Sequence, residues 1–312
     1  MSFDLILFPR KGRRLERGKF CAYFEKQRHV ERTDDEVRYS NDDTGVYFTL
    51  SYKERDVADP EERARAELAK TTIAFEMNFV RPGFFALEAS LVLSRLAEHF
   101  SLLVEDPQKD GMQRVAFDAD AFVKNWTGSN RWACQAIGQT GGSSHLTLPP
   151  ALNEALWRWN YSQDTMSRRF EDDLIGAFVP LVKFYREGDQ ARSFCIFPNL
   201  VPTAVPKVDR VMITRDKLPP PHARKSNPTP AWVTWDEIVA VMPGYEIRGE
   251  GVGRDGHPHL ILFDEDGYQS PKTAPNALAL WVIGLPDWPG RPDIISPDQI
   301  LDAEVTGPAG GA

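Results

Sequence analysis

The sequence predicts an α+β fold in which antiparallel or mixed sheets carry helices packed on one face. The segment 72–79 alternates strictly between apolar and polar side chains, which is the pattern of a half-buried strand. The segment 84–99 instead repeats apolar side chains at the spacing of one helical face. Further pairs of strand-like segments flank turn-forming residues, as in hairpins. With 312 residues, the chain is long enough for two lobes.

An N-terminal lobe with a split βαβ-like plan is predicted over residues 1–106. Residues 3–8 are apolar on nearly both faces and stop at Pro9, which is typical of a short central strand. The predicted order is a strand at 3–8, a helix at 15–28, hairpin strands at 36–40 and 46–52, a strand at 72–79, a helix at 84–99 and a strand at 102–104. Helices on one face of an antiparallel sheet would bury the apolar sides of these elements.

Residues 107–150 are rich in Gly, Ser, Asn and Gln, and they predict a loop-rich connection. A strand-rich α+β lobe is then predicted over 151–312. Its elements are a helix around Leu152–Trp159, hairpin strands at 178–185 and 192–197, and strands at 208–214, 259–263 and 277–283. Thr234 and Glu237 stand three residues apart ahead of an apolar run, which indicates a capping box at the start of a helix.

Charge and composition exclude some classes of partner. A net charge of −8 disfavours binding to nucleic acid, which depends on an excess of cations. The longest apolar run, Ala277–Leu285, is too short to cross a membrane. The three cysteines contain no Cys-x-x-Cys pair, and the N-terminus does not resemble a secretion signal. A protein of the reducing cytoplasm is therefore expected.

Several motifs with chemical potential have simpler structural interpretations. Gly251–Gly256 matches the dinucleotide fingerprint in its letters, but a strand follows it where a helix should begin, so a hairpin loop and no cofactor are predicted. Asp264–Gly267 lacks the distal ligands of a calcium loop and reads as a solvated turn. The segments Ser143–His145 and Glu171–Asp173 lack the spacing that a catalytic triad or an acid–base pair requires. No catalytic, cofactor-binding or metal-binding residue is predicted from these segments.

Among the sequence patterns, the pair His257 and His259 is the one that most resembles a metal site. On a strand their imidazoles would project from the same face, and Asp255 could add an oxygen ligand. Two histidines without a fixed third ligand are a weak signal, so a metal-dependent hydrolase that uses His257, His259 and Asp255 is kept as an alternative.

Two aromatic groups are candidates for a ligand pocket. One contains Trp126 and Trp132, and the other contains Trp157, Trp159 and Tyr161. Large aromatic side chains more often fill a core than line a site, so both groups are predicted to be core.

Five segments carry a resemblance to a known class of protein. They are Met1–Leu5, Arg81–Ala89, Leu103–Gln108, the group Asn125-Trp126 with Gly128 and Asn130, and Trp159–Tyr161. These residues resemble cytoplasmic immunity proteins encoded beside bacterial polymorphic toxins, more closely in the first half of the chain than in the second. The resemblance implies a non-enzymatic protein that neutralises a cognate protein toxin by direct binding. It implies no catalytic residues.

A third class of function remains open beside the immunity protein and the hydrolase. Pro219, Pro220, Pro221, Pro228 and Pro230 predict an extended surface loop, because proline density forbids regular pairing. Such a loop could dock a partner of a structural or assembly protein.

Overall fold

The computed structural model describes most of the chain. The described residues are 2–10, 13, 15–54, 71–108, 114–139, 145–172, 178–198, 203–214, 229–241, 260–262, 285 and 292–303. The fold is α+β, as predicted. The chain divides into two compact units, the first formed by Met1–His145 with Leu301–Ala312 and the second by Leu146–Ile300. This division differs from the predicted lobes, since the first unit extends to His145 and regains the C-terminal residues.

The first unit contains a seven-stranded antiparallel sheet with the strand order β2-β3-β4-β5-β1-β6-β7. The strands are β1 (Ser2–Pro9), β2 (Val30–Arg32), β3 (Glu36–Asn41), β4 (Val46–Glu54), β5 (Thr71–Asn78), β6 (Leu102–Glu105) and β7 (Val115–Ala116). Leu5 lies opposite Phe75, which lies opposite Leu50, and all three are buried. Alternation of side chains along each strand therefore places one apolar row across the sheet.

The predicted split βαβ unit is confirmed in this sheet. Strands β5 and β6 both run antiparallel to β1, which lies between them, so they are parallel to each other. Helix α2 (Phe84–Phe100) connects these two parallel strands. The predicted hairpin of β3 and β4 and the predicted helix at 84–99 are confirmed as well.

Helix α1 (Arg17–Phe24) is shorter than the predicted helix at 15–28. Phe20 and Phe24 are its buried residues, and the chain must then reverse into β2. His29 takes a left-handed backbone conformation with φ of 62° immediately before that strand, which a continuing helix could not do. The requirement to pair β2 therefore ends the helix early.

The prediction of a loop-rich connection at 107–150 is wrong for half of that segment. Helix α3 (Ala119–Gln139) occupies it, and strand β8 (Leu146–Leu148) follows. Asp118 Oδ1 accepts a hydrogen bond from the N–H of Ala121 at 2.9 Å, as a helix N-cap does. Small and polar residues on the outer side of α3 concealed the apolar repeat on its inner side. Tertiary burial thus outweighed the low helix propensity of Gly, Ser and Asn.

The second unit contains a five-stranded sheet with the strand order β13-β12-β10-β9-β15. Its elements are α4 (Pro150–Asp172), β9 (Lys183–Glu187), β10 (Gln190–Phe197), β11 (Thr203–Val205), β12 (Arg210–Ile213), β13 (Ala231–Thr234), α5 (Trp235–Val241), β14 (Leu260–Leu262), β15 (Asp293–Ile295) and a 3₁₀ turn, Pro297–Gln299. The last strand, β16 (Ile300–Asp302), crosses the division between the units. A core cluster that includes Trp159, Phe184 and Val211 stabilises this unit.

Two local predictions in the second unit are confirmed and one needs correction. The hairpin of β9 and β10 turns at Gly188, whose φ is 60°. Thr234 and Glu237 form the predicted capping box, with the Glu237 N–H donating to Thr234 Oγ1 at 3.1 Å. The predicted strand at 178–185 begins only at Lys183, because Pro180 has no N–H to donate to a ladder.

Candidate functional site

The inner side of α3 attaches this helix firmly to the first sheet. The Phe122 ring lies 5.8 Å from the rings of both Phe3 and Phe75, in edge-to-face contacts. Trp126 has no exposed surface and follows Phe122 by one helical turn. Ala133 and Cys134 are also buried. The helix therefore presents its opposite side from a rigid support, which favours precise recognition.

Asn130 adds a polar anchor on the same inner side. Its Oδ1 accepts a hydrogen bond from the Val80 N–H at 2.6 Å, and its Nδ2 donates to the Arg81 carbonyl at 2.8 Å. Val80 has φ of 61°, a left-handed conformation that is strained for a β-branched residue. The buried amide of Asn130 stabilises this conformation, and thereby ties α3 to the loop that precedes α2.

The outer side of α3 carries the candidate binding surface. Lys124, Gly128, Arg131 and Trp132 are exposed and share one side of the helix, and we call these four residues the α3 face. The Trp132 side chain is 65% exposed, the largest exposed fraction among the large apolar residues that the structure describes. An indole left this open on a well-packed helix is a feature that the protein's own core does not explain.

Gly128 lies at the centre of the α3 face, three or four residues from each of the other three. Side chains at these spacings are neighbours on a helix surface, so the missing side chain leaves a notch between Lys124, Arg131 and Trp132. A Cβ atom built at Gly128 would meet no atom within 4 Å. Glycine in a helix interior costs about 0.5–1 kcal/mol relative to alanine. No close packing contact among the described residues therefore requires glycine at this position.

Gly83 gives a direct contrast. A Cβ atom there would lie 2.7 Å from Asp302 Oδ2, the atom that accepts a hydrogen bond from the Gly83 N–H at 2.8 Å. Asp302 thus occupies the N-terminal end of α2 from the far end of the chain. Gly83 is needed for a close approach within the protein, whereas Gly128 is not.

The charges of the α3 face are positive in an acidic protein. No carboxylate among the described residues forms an ion pair with Lys124 or Arg131. Trp and Arg are enriched among the residues that dominate the energetics of protein interfaces. This set can bind a surface through apolar burial and charge.

A second concavity lies elsewhere in the first unit. It has a volume of about 230 Å³ and is lined by Pro9, Arg13, Leu15, His99 and Phe100. Arg13 Nη1 donates a hydrogen bond to Ser101 Oγ at 2.9 Å, and the His99 ring packs 4.7 Å from the Tyr23 ring. Its one guanidinium and one imidazole could accept a small anion.

Two of the three cysteines, Cys134 and Cys195, are buried. Burial raises the pKa of the Cys134 thiol to about 11, with a further contribution from the Asp302 carboxylate. Burial also raises the pKa of Cys195 well above its usual range. Both thiols are protonated near neutral pH and are poor nucleophiles. Within the described ranges, no three His, Cys, Asp or Glu side chains group as metal ligands do.

Many of the sequence-predicted site residues lie outside the described residues. These are Asp255, His257, His259, the glycine-rich segment 251–256, the turn 264–267, Ser143, Ser144, Asp173 and most of the proline loop at 219–230. His145 and Glu171 are described and exposed. The hydrolase and the assembly protein therefore stay as predictions.

The prediction that the aromatic groups are core is confirmed for Trp126, Trp157 and Trp159 and is wrong for Trp132. Trp132 follows Trp126 by six residues, so the two side chains lie about 120° apart around a helix of 3.6 residues per turn. A helix assignment over this segment would have separated them. The Gly, Ser and Asn residues of this segment favour a loop, and they obscure the helical spacing of the two tryptophans.

No helix of the described part is long and apolar enough to cross a membrane. Comparison of the chain with protein-family models, with curated proteins and with solved structures gives no match.

Proposed function

We propose that this chain is a non-enzymatic binding protein, specifically an immunity protein that neutralises a cognate bacterial toxin in the cytoplasm by direct binding. The observation that carries the proposal is Trp132, which is 65% exposed beside Arg131 on a helix whose inner side is firmly packed. The resemblance of Asn125, Trp126, Gly128 and Asn130 to such proteins falls on this same helix.

Covering Trp132 in a complex would contribute substantially to the free energy of binding. A tryptophan side chain buries about 150–250 Å² when covered, and each Å² of apolar surface contributes about 25 cal/mol. Covering the open part of Trp132 would therefore stabilise a complex by about 2–4 kcal/mol. Central tryptophans at protein interfaces show losses of this size when they are truncated.

The first test uses the gene neighbourhood and the toxin. The proposal expects a toxin gene beside the gene for this chain, and expects the two products to form a stable complex after co-expression. Expression of the chain should also protect cells from that toxin. The absence of any complex at micromolar concentration, together with no protection, would contradict the proposal.

Trp132→Ala is the sharpest variant for this test, with Leu91→Ala as its control. Leu91 is 40% exposed and lies on α2, away from the α3 face in sequence. We expect Trp132→Ala to raise the dissociation constant of the complex by about 30- to 1,000-fold, as 2–4 kcal/mol requires. Leu91→Ala should leave it unchanged. Equal affinity of the two variants would exclude Trp132 from the interface.

A further inference from the structure

We infer that the α3 face binds an acidic surface of the partner protein, and that a protruding part of this surface enters the notch above Gly128. The inference rests on the proposed function, since it describes the partner of the same surface. It adds two properties that the exposed tryptophan alone does not give, namely the charge of the partner's surface and the position of closest approach.

The position follows from the unexplained glycine. Apart from proline, glycine is the least favourable residue in a helix interior, and Gly128 lies in the middle of the 21-residue helix α3. A Cβ atom built at this position would have no neighbouring atom within 4 Å. An exposed glycine leaves room for an atom from outside the chain, because another molecule can approach the helix backbone more closely there than beside a residue with a side chain.

The charge of the partner follows from Lys124 and Arg131. They flank the notch on the side opposite Trp132, and no described carboxylate pairs with either of them. These two cations lie on a chain with a net charge of −8, and the exposed Asp120, one turn before Lys124 on the same helix, forms no ion pair with it. Complementary charge orients an encounter and raises its rate, so the matching surface is acidic.

The first experiment uses the free protein and needs no partner. Gly128→Ala should raise the midpoint of urea unfolding, because alanine is the better helix former and its Cβ meets no atom. Gly83→Ala is the matched control and should lower the midpoint, because its Cβ overlaps Asp302. A lower midpoint for Gly128→Ala would overturn the inference, since the fold would then need this glycine.

The second experiment measures the complex with the toxin. Gly128→Gln fills the notch and should weaken binding at least tenfold while leaving the free protein at least as stable as the wild type. Lys124→Glu should slow association about tenfold at low salt, and the effect should shrink as salt is added. Lys26→Glu makes the same charge change at an exposed residue on another part of the first unit, and should change the rate much less.

The outcomes separate the two proposals. If the wild-type chain forms no complex with the toxin, both the proposed function and this inference fail. If a complex forms but Gly128→Gln binds as tightly as wild type, or Lys124→Glu behaves as Lys26→Glu does, the immunity function stands and the inference is wrong. Weaker binding by both α3 variants, with a stable free Gly128→Gln protein, supports it.

Discussion

Helices α2 and α3 pack against each other in the first unit, but the fold uses their residues to different extents. Helix α2 buries ten residues, including Glu88, whose carboxylate accepts hydrogen bonds from Tyr39 Oη at 2.7 Å and Asn41 Nδ2 at 2.8 Å. Helix α3 leaves Trp132 open, and a Cβ atom built at Gly128 would meet no atom within 4 Å. Folding accounts for the buried residues of α2, whereas no packing contact among the described residues accounts for the open indole of Trp132.

Trp126→Ala and Trp132→Ala test this difference on a single helix. Trp126 has no exposed surface, so its truncation should lower the free energy of unfolding by about 3–5 kcal/mol. Trp132→Ala should change it by less than about 0.5 kcal/mol. Urea unfolding of both variants is the measurement. A large loss of unfolding free energy in Trp132→Ala would show that this indole stabilises the folded protein.

Glu88→Ala extends the test to α2. Removing the carboxylate leaves the Tyr39 hydroxyl and the Asn41 amide buried without this acceptor, which should lower the free energy of unfolding by about 2–4 kcal/mol. Glu98→Ala is the control, because Glu98 is exposed on the same helix and should contribute less than about 0.5 kcal/mol. If the two variants lose the same free energy of unfolding, the hydrogen bonds of Glu88 do not stabilise the core.

Gly83→Ala and Gly128→Ala sharpen the contrast at two glycines. The first displaces Asp302 from the start of α2 and should cost about 1 kcal/mol, as loss of an N-cap does. Asp302→Ala should cost a similar amount. We expect Gly128→Ala to stabilise the protein. If Gly83→Ala stabilises it as well, the contact between Gly83 and Asp302 contributes nothing to the free energy of unfolding.

The capping box of α5 provides the smallest expected effect. The Thr234 N–H and then the Thr234 hydroxyl donate to the Glu237 carboxylate and lower its pKa. Because the folded pKa lies below the unfolded value of about 4.3, this contribution is present above that pH and is lost as pH falls through the folded pKa. Thr234→Ala should cost about 1 kcal/mol at neutral pH, and Glu237→Gln should flatten the acid dependence measured by urea unfolding from pH 3 to 7. An unchanged acid dependence would contradict this role of Glu237.

Features set by nearby residues were predictable from the sequence. The capping box of Thr234 and Glu237, the hairpin turn at Gly188 and the amphipathic helix α2 all depend on residues a few positions apart. The packing of Asn130 on Val80, fifty residues away, and of Asp302 on Gly83 depends on tertiary structure. The α3 face escaped prediction for a related reason, since Gly128 and its polar neighbours lower helix propensity and only the buried Phe122 and Trp126 reveal the helix.

Asn130 connects α3, which carries the α3 face, to the backbone of Val80 and Arg81. It lies between Gly128 and Arg131 in sequence. On the inner side of the helix its Oδ1 accepts a hydrogen bond from the Val80 N–H. A partner bound at the notch would restrain α3, and with it the hydrogen bond between Asn130 and the Val80 N–H. The Val80 amide hydrogen, which Asn130 holds on the inner side of α3, would then exchange more slowly in the complex and report occupancy of the notch.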